Sequence, residues 1–228
     1  MAKKKSMSAI KQIAKKSKAL SILELIHGFH KTEPNDETYA FPALNLDWSE
    51  GQQYPGKTNF AWLAATVHAI RKFTGKDVIV YEIGVFAGES AQTFLYAGAI
   101  HYNGIDNWVL NPVCKEVAPS ALNGMRRLNY TIIEKDSQML IASDLPPILN
   151  EQVMLFSVDG SHETAEQSRD MEFAFNFMRS GDVMIVDDFT VNPKVAEVVE
   201  TFLNKHAVDL AWHTILPSRK GFFVAEKL

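Results

Sequence analysis

From residue 78 onward, short apolar runs alternate with amphipathic segments of helical period. This alternation predicts repeated strand–helix units, which assemble into a mostly parallel sheet covered by helices on both faces. The predicted strands are residues 78–83, 102–106, 130–134, 153–158, 183–186, 212–216 and 221–226. No helix separates the last two, so we expect a hairpin there. The expected fold class is α/β, a doubly wound sheet of seven strands with an antiparallel C-terminal edge strand.

Helices are expected between these strands and before the first one. Those between the strands cover residues 90–99, 122–128, 137–145, 164–178 and 194–205, and two more, at 8–30 and 59–74, precede the sheet. The segment 31–57 is long and irregular, and loops of this length are often lids or binding loops. We therefore divide the chain into an N-terminal helical and lid extension, residues 1–58, and a main domain, residues 59–228.

Composition restricts the class of protein. With 46% hydrophobic and 22% charged residues, the 228-residue chain has the balance of a globular protein with one substantial core. The net charge of −4 argues against a general nucleic-acid binder. A single cysteine, Cys114, rules out a disulfide within the chain. No apolar run approaches the roughly 20 residues that span a bilayer, and the N-terminus lacks a signal-peptide pattern, so we expect a cytoplasmic protein.

The most specific local signal lies where the first predicted strand ends. Glu82 is followed by a turn with Gly84 and Gly88, and then by a predicted helix. In doubly wound sheets, ligands bind at the carboxyl ends of the strands. The turn is neither the G-x-G-x-x-G of dinucleotide-binding proteins nor a P-loop, and Phe86 would obstruct a pyrophosphate. A glycine-containing turn without any ligand is the alternative.

This segment resembles motif I of class I S-adenosylmethionine (SAM)-dependent methyltransferases, which have a Rossmann-like fold. Glu82, Gly84 and Gly88 match the motif, whereas Phe86 stands where a middle glycine is usual. The resemblance implies that these three matching residues, together with Ser90 at the start of the helix, form part of the SAM site. SAM carries an ammonium group, a sulfonium and a ribose but no phosphate, which agrees with an acidic residue at the strand end.

Acidic residues also follow the second and third predicted strands. Asp106 lies about 20 residues beyond the first turn, where an acid binds ribose hydroxyls in folds of this kind. Asp136 and Ser137 end the third strand, and the family resemblance implies that they face the adenine. Both aspartates have a structural alternative, because aspartate at a strand end commonly forms a turn or caps the next helix.

Three carboxylates follow the fourth and fifth predicted strands, namely Asp159, Asp187 and Asp188. Neighbouring strands end at one edge, so we expect these carboxylates to meet beside the SAM pocket. Close like charges need a compensating cation, and oxygen ligands suit Mg²⁺, Mn²⁺ or Ca²⁺. The motifs resemble those of metal-dependent bacterial sugar O-methyltransferases of the macrocin and novobiocin types. That resemblance implies that all three aspartates bind a divalent metal, with Mg²⁺ as the expected ion.

His162 is the expected general base, with Asp159 beside it in the catalytic group. Histidine titrates near neutrality and matches the family position, whereas some family members have an aspartate where this chain has Ser161. A histidine that only orients a ligand or caps a helix is the alternative. The expected reaction is direct methyl transfer from SAM to a hydroxyl of a small molecule, either a sugar or a phenol.

Other classes of protein stay open on the sequence alone. A NAD-type oxidoreductase lacks support because its glycine motif is absent, and hydrolysis at an acidic metal site would not need the motif I residues. A non-catalytic SAM-fold binding or assembly protein is a further alternative, and a homo-oligomer is possible through the N-terminal helix. Side chains of the N-terminal extension that would line an acceptor site are His27, His30, Tyr39, Trp48 and Tyr54, although each is individually more typical of packing.

Overall fold

The computed structural model describes residues 21–31, 59–123, 129–218 and 220–228. These ranges contain seven strands: β1 (Asp77–Ile83), β2 (His101–Asp106), β3 (Tyr130–Glu134), β4 (Gln152–Val158), β5 (Val183–Val186), β6 (Leu210–Leu216) and β7 (Phe222–Lys227). They form one sheet in the order β3-β2-β1-β4-β5-β7-β6. Strands β1 to β5 pair in parallel, and β7 pairs antiparallel with both β5 and β6. The predicted fold class and the C-terminal hairpin are therefore confirmed. The edge strand of the hairpin is β6, and β7 lies between β5 and β6.

Helices cover both faces of the sheet. They are α1 (21–31), α2 (Asn59–Thr74), α3 (Glu89–Tyr96), α4 (Cys114–Asn123), α5 (Thr164–Phe177) and α6 (Pro193–His206). Successive residues of a strand point to opposite faces, and β1 shows this directly. Val78 and Val80 pack in a cluster with α1 to α4, while Ile79 and Tyr81 pack in a second cluster with α5 and α6. Strands with both faces covered explain the continuous apolar runs in the sequence.

The face that carries α5 and α6 is rich in aromatic contacts. The rings of Tyr81 and Phe156 lie 5.9 Å apart between neighbouring strands, and Phe177 of α5 packs edge-on against both. Tyr81 and Phe156 are fully buried, and burying a large apolar side chain stabilises the fold by about 1.5–3 kcal/mol. This packing fixes α5 against β1 and β4, the two strands that carry the central part of the site.

Two predicted helices differ from the observed elements. Helix α4 begins at Cys114, earlier than the expected 122–128, and residues 124–128 lie outside the description. The expected helix 137–145 consists of two short 3₁₀ turns, Ser137–Met139 and Ala142–Asp144. The carboxylate of Asp144 accepts a hydrogen bond from the Ile141 amide at 2.8 Å. Such local bonds between side chain and backbone compete with a continuous helix.

The described part of the N-terminal extension packs on the main domain. Ile22 and Ile26 of α1 are buried in the same cluster as Trp62 of α2, and the His30 ring stacks on Trp62 at 3.8 Å. His27 contacts the same indole edge-on at 5.0 Å, so both histidines have packing roles. The rest of the proposed lid, including Tyr39, Trp48 and Tyr54, lies outside the described residues. Of the helices that the structure describes, none combines the length and apolar character that a membrane crossing requires.

Candidate functional site

The carboxyl ends of the parallel strands bring the candidate residues to one edge of the sheet. In the observed register, Glu82 of β1 lies opposite Ser157 of β4 and Gly104 of β2. Val158 of β4 lies opposite Val186 of β5. The segments that follow these strands are therefore neighbours, as the sequence predicted from strand order.

Gly84 is needed because another backbone segment lies against it. Its φ is +93°, and a Cβ atom at this position would lie 1.9 Å from the carbonyl oxygen of Asp159. The amide of Gly84 donates to the carbonyl of Ile105, and the amide of Asp159 donates to the carbonyl of Ile83, both at 2.9 Å. The sequence placed Gly84 in a candidate ligand-binding turn. The atoms that approach it in the structure belong to the Asp159 turn, so Gly84 joins the two halves of the site.

The turn between β1 and α3 holds a strained backbone. Phe86 has a φ of +48°, which is uncommon for a residue other than glycine, and Gly88 has a φ of +84°. Gly88 is the N-cap of α3, and no side chain caps the first turn of that helix. Uncapped amides at a helix start favour an anionic group. Strain of this kind is concentrated at functional sites.

Glu82 lies behind this turn and is almost completely buried. Its Oε2 accepts hydrogen bonds from the hydroxyls of Ser90 at 2.7 Å and Tyr102 at 2.5 Å, and its Oε1 accepts one from Ser157 at 3.0 Å. Burial raises the pKa of Glu82 to about 8. The structure therefore places the predicted residues Glu82 and Ser90 together in an internal hydroxyl network. Tyr102 and Ser157 belong to that network, and sequence reasoning did not single them out.

Asp106 lies at the end of β2, beside the same turn. Its Oδ2 accepts a hydrogen bond from the Phe86 amide at 2.9 Å, and its Oδ1 accepts one from the Trp108 amide at 2.6 Å. The Trp108 indole is buried and donates to the carbonyl of Phe86 at 2.9 Å. Asp106 thus forms a turn, the structural alternative that the sequence left open, and its carboxylate also lies next to the glycine turn of β1.

Asp136 and Ser137 follow β3, as expected. Asp136 caps the first 3₁₀ turn by accepting from the Gln138 amide at 2.9 Å, which is the capping role that the sequence left open beside adenine binding. The Gln138 side-chain amide donates to Asp170 of α5 at 2.8 Å and to the Ser137 hydroxyl at 3.2 Å. Burial raises the pKa of Asp170 to about 7. Gln138 and Asp170 are further polar residues at this edge, and the sequence did not mark them.

His162 lies between two of the predicted carboxylates. Its Nε2 is 3.2 Å from Asp188 Oδ2 and 3.8 Å from Asp159 Oδ1. Asp159 is the main cause that raises the pKa of His162, and Asp188 adds to it. If Nε2–H donates to Asp188, then Nδ1 is the nitrogen able to accept a proton. One ligand atom each from Asp159, His162 and Asp188 lie within 4.8 Å of one another.

Asp187 faces a different partner. Its Oδ2 lies 3.2 Å from the Nζ of Lys220, and its Oδ1 accepts the Asp188 amide at 2.7 Å. Burial and the neighbouring Asp159 raise the pKa of Asp187 well above its usual range. Lys220 also lies 3.1 Å from Asp188 Oδ1. Burial alone would lower the pKa of Lys220, but Asp187 raises it and the net direction is upward.

The sequence missed Lys220, although a signal was present. Lys220 lies in the predicted β6–β7 hairpin, and antiparallel pairing of β7 with β5 brings that hairpin to the end of β5. The three aspartates predicted as metal ligands lie at one edge, but the ligand atoms that converge are a carboxylate oxygen of Asp159, a ring nitrogen of His162 and a carboxylate oxygen of Asp188, without Asp187. A set of two carboxylates and one imidazole suits Mn²⁺ or another transition ion better than Mg²⁺.

Comparisons with known proteins agree with this architecture. Residues 81–189 match the family model of a methyltransferase domain. The O-methyltransferase TomG from Streptomyces achromogenes, involved in tomaymycin synthesis and solved in complex with SAM, is 20% identical with a TM-score of 0.54, covering 73% of this chain and 80% of its own. A TDP-rhamnose 3′-O-methyltransferase of calicheamicin biosynthesis is 16% identical with a TM-score of 0.51, covering 72% and 77%.

A third solved structure covers more of the chain. The S-adenosylhomocysteine (SAH)-bound methyltransferase of Podospora anserina is 10% identical with a TM-score of 0.50, covering 91% of this chain and 88% of its own. At these identities the structural likeness establishes the fold. No curated protein matches the chain. The match to a methyltransferase domain runs from within β1 to Phe189, the residue after Asp188, so it includes Glu82, Asp106, Asp159 and Asp188 but not Lys220.

Proposed function

We propose that the chain transfers a methyl group from SAM to a hydroxyl of a small molecule, a sugar or a phenol. The observation that carries this proposal is the contact between Gly84 and the backbone of Asp159, which joins the candidate SAM site to the acid–histidine cluster. The glycine turn of β1 packs on the backbone of Asp159, and Asp159 begins the segment that carries His162. A methyl donor held at the turn would therefore lie next to the acid–histidine cluster. The match of residues 81–189 to a methyltransferase domain agrees with this arrangement.

SAM supplies a methyl group on a sulfonium, which is transferred by direct displacement. The uncapped first turn of α3 is suited to the donor's carboxylate. Asp106 is suited to the ribose hydroxyls, because each of its oxygens keeps acceptor capacity beyond one backbone amide. Ser137 and Gln138 are the polar groups at the β3 end that would face the adenine edge. Glu82 and Ser90 would act from behind the turn by fixing its shape.

His162 is the proposed general base. Its Nε2 faces Asp188 Oδ2 at 3.2 Å, and we propose that Nδ1 accepts the proton of the acceptor hydroxyl. The oxygen then forms a bond to the methyl carbon as the carbon–sulfur bond breaks, and the sulfur keeps the electron pair in SAH. The proton remains on His162 until it is lost to solvent. Holding acceptor and donor in line supplies much of the rate enhancement.

Metal dependence is the expectation that the family resemblance adds. The group that would hold an ion is Asp159, His162 and Asp188, since their ligand atoms converge. A bound ion would lower the pKa of an acceptor hydroxyl. His162 cannot ligate an ion through Nε2 when that nitrogen carries a proton toward Asp188 Oδ2, 3.2 Å away. We therefore propose the proton transfer above without an ion in any of its steps.

The remaining expectations from the sequence are proposals as well. The division into an extension, residues 1–58, and a main domain, residues 59–228, is kept, although α1 packs on α2. We also propose a cytoplasmic location, no nucleic-acid partner and a homo-oligomer. The sugar and phenol classes are both retained for the acceptor.

The test is calorimetric binding of SAM and SAH to the whole chain and to Asp106→Asn. We expect micromolar binding by the wild-type protein and at least about tenfold weaker binding by the variant, because a charge-assisted bond to the ribose is lost. Asp209→Asn is the matched control, because the Asp209 side chain is exposed and pairs with His206, which is not part of the candidate site. No binding of either ligand by folded wild-type protein would refute the proposed function.

A further inference from the structure

Lys220 is anchored at the acidic edge by its own backbone. Its carbonyl accepts the Thr190 amide at 2.7 Å, and the carbonyl of Gly221 accepts the Phe189 amide at 3.0 Å. Gly221 has a φ of +74°, and a Cβ there would lie 1.9 Å from Thr190 Oγ1. The turn of the β6–β7 hairpin is thus fixed against the segment that follows Asp188. The position of the lysine is therefore set by the sheet and does not depend on the side chain alone.

The ammonium bridges two consecutive carboxylates. Nζ lies 3.2 Å from Asp187 Oδ2 and 3.1 Å from Asp188 Oδ1. The side chains of Asp187, Asp188 and Lys220 are only 13%, 10% and 23% exposed. Ion pairs sheltered to this degree are screened much less than pairs on the surface. Each of the two carboxylates that the family resemblance assigns to a metal ion already forms an ion pair with a cation of the chain itself.

The charges at this edge explain why a cation is needed there. Asp159, Asp187 and Asp188 bring three carboxylates close together, and such a group is costly without positive charge nearby. Lys220 supplies one positive charge, and His162 supplies a second when it holds a proton. A divalent ion at the same carboxylates would meet both the repulsion of the ammonium and the loss of two ligand oxygens that the ammonium occupies.

We propose that Lys220 takes the place of a divalent ion at Asp187 and Asp188, and that removing its charge creates an ion-binding site. This inference deepens the proposed function, because it makes the proton transfer from the acceptor to His162 independent of added metal. Lys220 acts as a positioning residue. Its ion pair with Asp188 Oδ1, at 3.1 Å, leaves Oδ2 facing His162 Nε2 at 3.2 Å, and the bonds made and broken in methyl transfer are unchanged.

The test measures binding of Mn²⁺ alone by calorimetry and by electron paramagnetic resonance, without SAM or acceptor. We expect no binding by the wild-type chain up to millimolar Mn²⁺. Lys220→Met, which keeps the length of the side chain without its charge, is expected to bind at least tenfold more tightly. Lys220→Arg retains the charge and should match the wild type. Lys205→Met is the control, because Lys205 pairs with Glu172 on a different part of the surface.

Several outcomes would overturn the inference. Micromolar Mn²⁺ binding by the wild type, or no gain in binding by folded Lys220→Met, would each do so. If Lys220→Met does not fold, the wild-type titration decides. Because the Mn²⁺ measurement requires no turnover, its failure is distinct from failure of the SAM titration. Once an acceptor is found, wild-type methyl transfer should persist in EDTA. Lys220→Met should be inactive in EDTA and active when Mn²⁺ is added.

Discussion

The hydroxyl of Tyr102 donates a hydrogen bond of 2.5 Å to the carboxyl group of Glu82, and both side chains are almost entirely buried. The residues come from adjacent strands, β1 and β2, and the bond lies directly behind the glycine turn of the site. Burial raises the pKa of Glu82 to about 8 and that of Tyr102 well above its usual range. Near neutral pH the pair is therefore largely uncharged, so the turn rests on a neutral polar network.

Glu82 should make the stability of the protein depend on pH. Between about pH 4.5 and 8, the Glu82 side chain is protonated in the folded state but ionised in the unfolded chain, where its pKa has the ordinary value of 4.5. The free energy of unfolding should thus fall by up to ~1.4 kcal/mol per pH unit between about 4.5 and 8. Glu82→Gln should reduce this slope. Urea unfolding at pH 6 and pH 8 measures it, and equal slopes for both proteins would contradict the assignment.

Gly84→Ala should destabilise the fold strongly. The new Cβ would collide with the carbonyl of Asp159, and the positive φ alone costs about 1–2 kcal/mol for a residue other than glycine. We expect a loss of at least about 2 kcal/mol in the free energy of unfolding. Gly28→Ala is the matched control, because Gly28 lies inside α1 with nothing within 4 Å of an added Cβ. There alanine should stabilise by about 0.5–1 kcal/mol, and thermal unfolding compares the two.

His162→Gln should separate catalysis from binding. Loss of a general base lowers kcat by about 100-fold or more. Affinity for SAH should change less than about threefold, because His162 lies on the acceptor side of the site. Turnover is measured with the hydroxyl acceptor that a screen identifies, and binding is measured by calorimetry. A variant with unchanged kcat would assign His162 the orienting or capping role instead.

Asp182→Ala should weaken the opposite end of the sheet without affecting ligand binding. The Asp182 carboxylate is buried, accepts the amides of Met154 and Arg179, and pairs with the Arg179 guanidinium at 3.3 Å. Its removal leaves buried donors without a partner, at a cost of about 2–4 kcal/mol. Chemical unfolding and SAH titration of the same sample test both halves. A loss of SAH affinity in folded protein would show that the two ends of the sheet are coupled.

Much of the fold was predictable because its central strands are buried on both faces. The run from Val78 to Tyr81 is continuously apolar for that reason, and the helices between the strands follow from their helical period. The short turns at 137–145 were not predictable from period alone. There, hydrogen bonds from Asp136 and Asp144 to nearby amides decide the backbone, and an amphipathic pattern does not reveal them.

For the candidate site, the sequence could predict only those residues that directly follow the carboxyl ends of strands. The meeting of Asp159, His162 and Asp188 follows from the order of β4 and β5. The burial of Glu82 depends on Tyr102 and Ser157, which are 20 and 75 residues away and carry no motif of their own. Lys220 is 33 residues from Asp187 in sequence, and it reaches Asp187 because β7 pairs antiparallel with β5.

The antiparallel pairing of β7 with β5 also determines the order in which the charged groups of the site assemble during synthesis of the chain. The acidic residues that end β4 and β5 are translated well before residues 210–227, which form the last two strands. Until that hairpin inserts beside β5, the lysine cannot reach the acidic edge. A nascent chain therefore carries the acidic groups of its site before the cation that neutralises them, and the charge balance of the site is completed only when the sheet is.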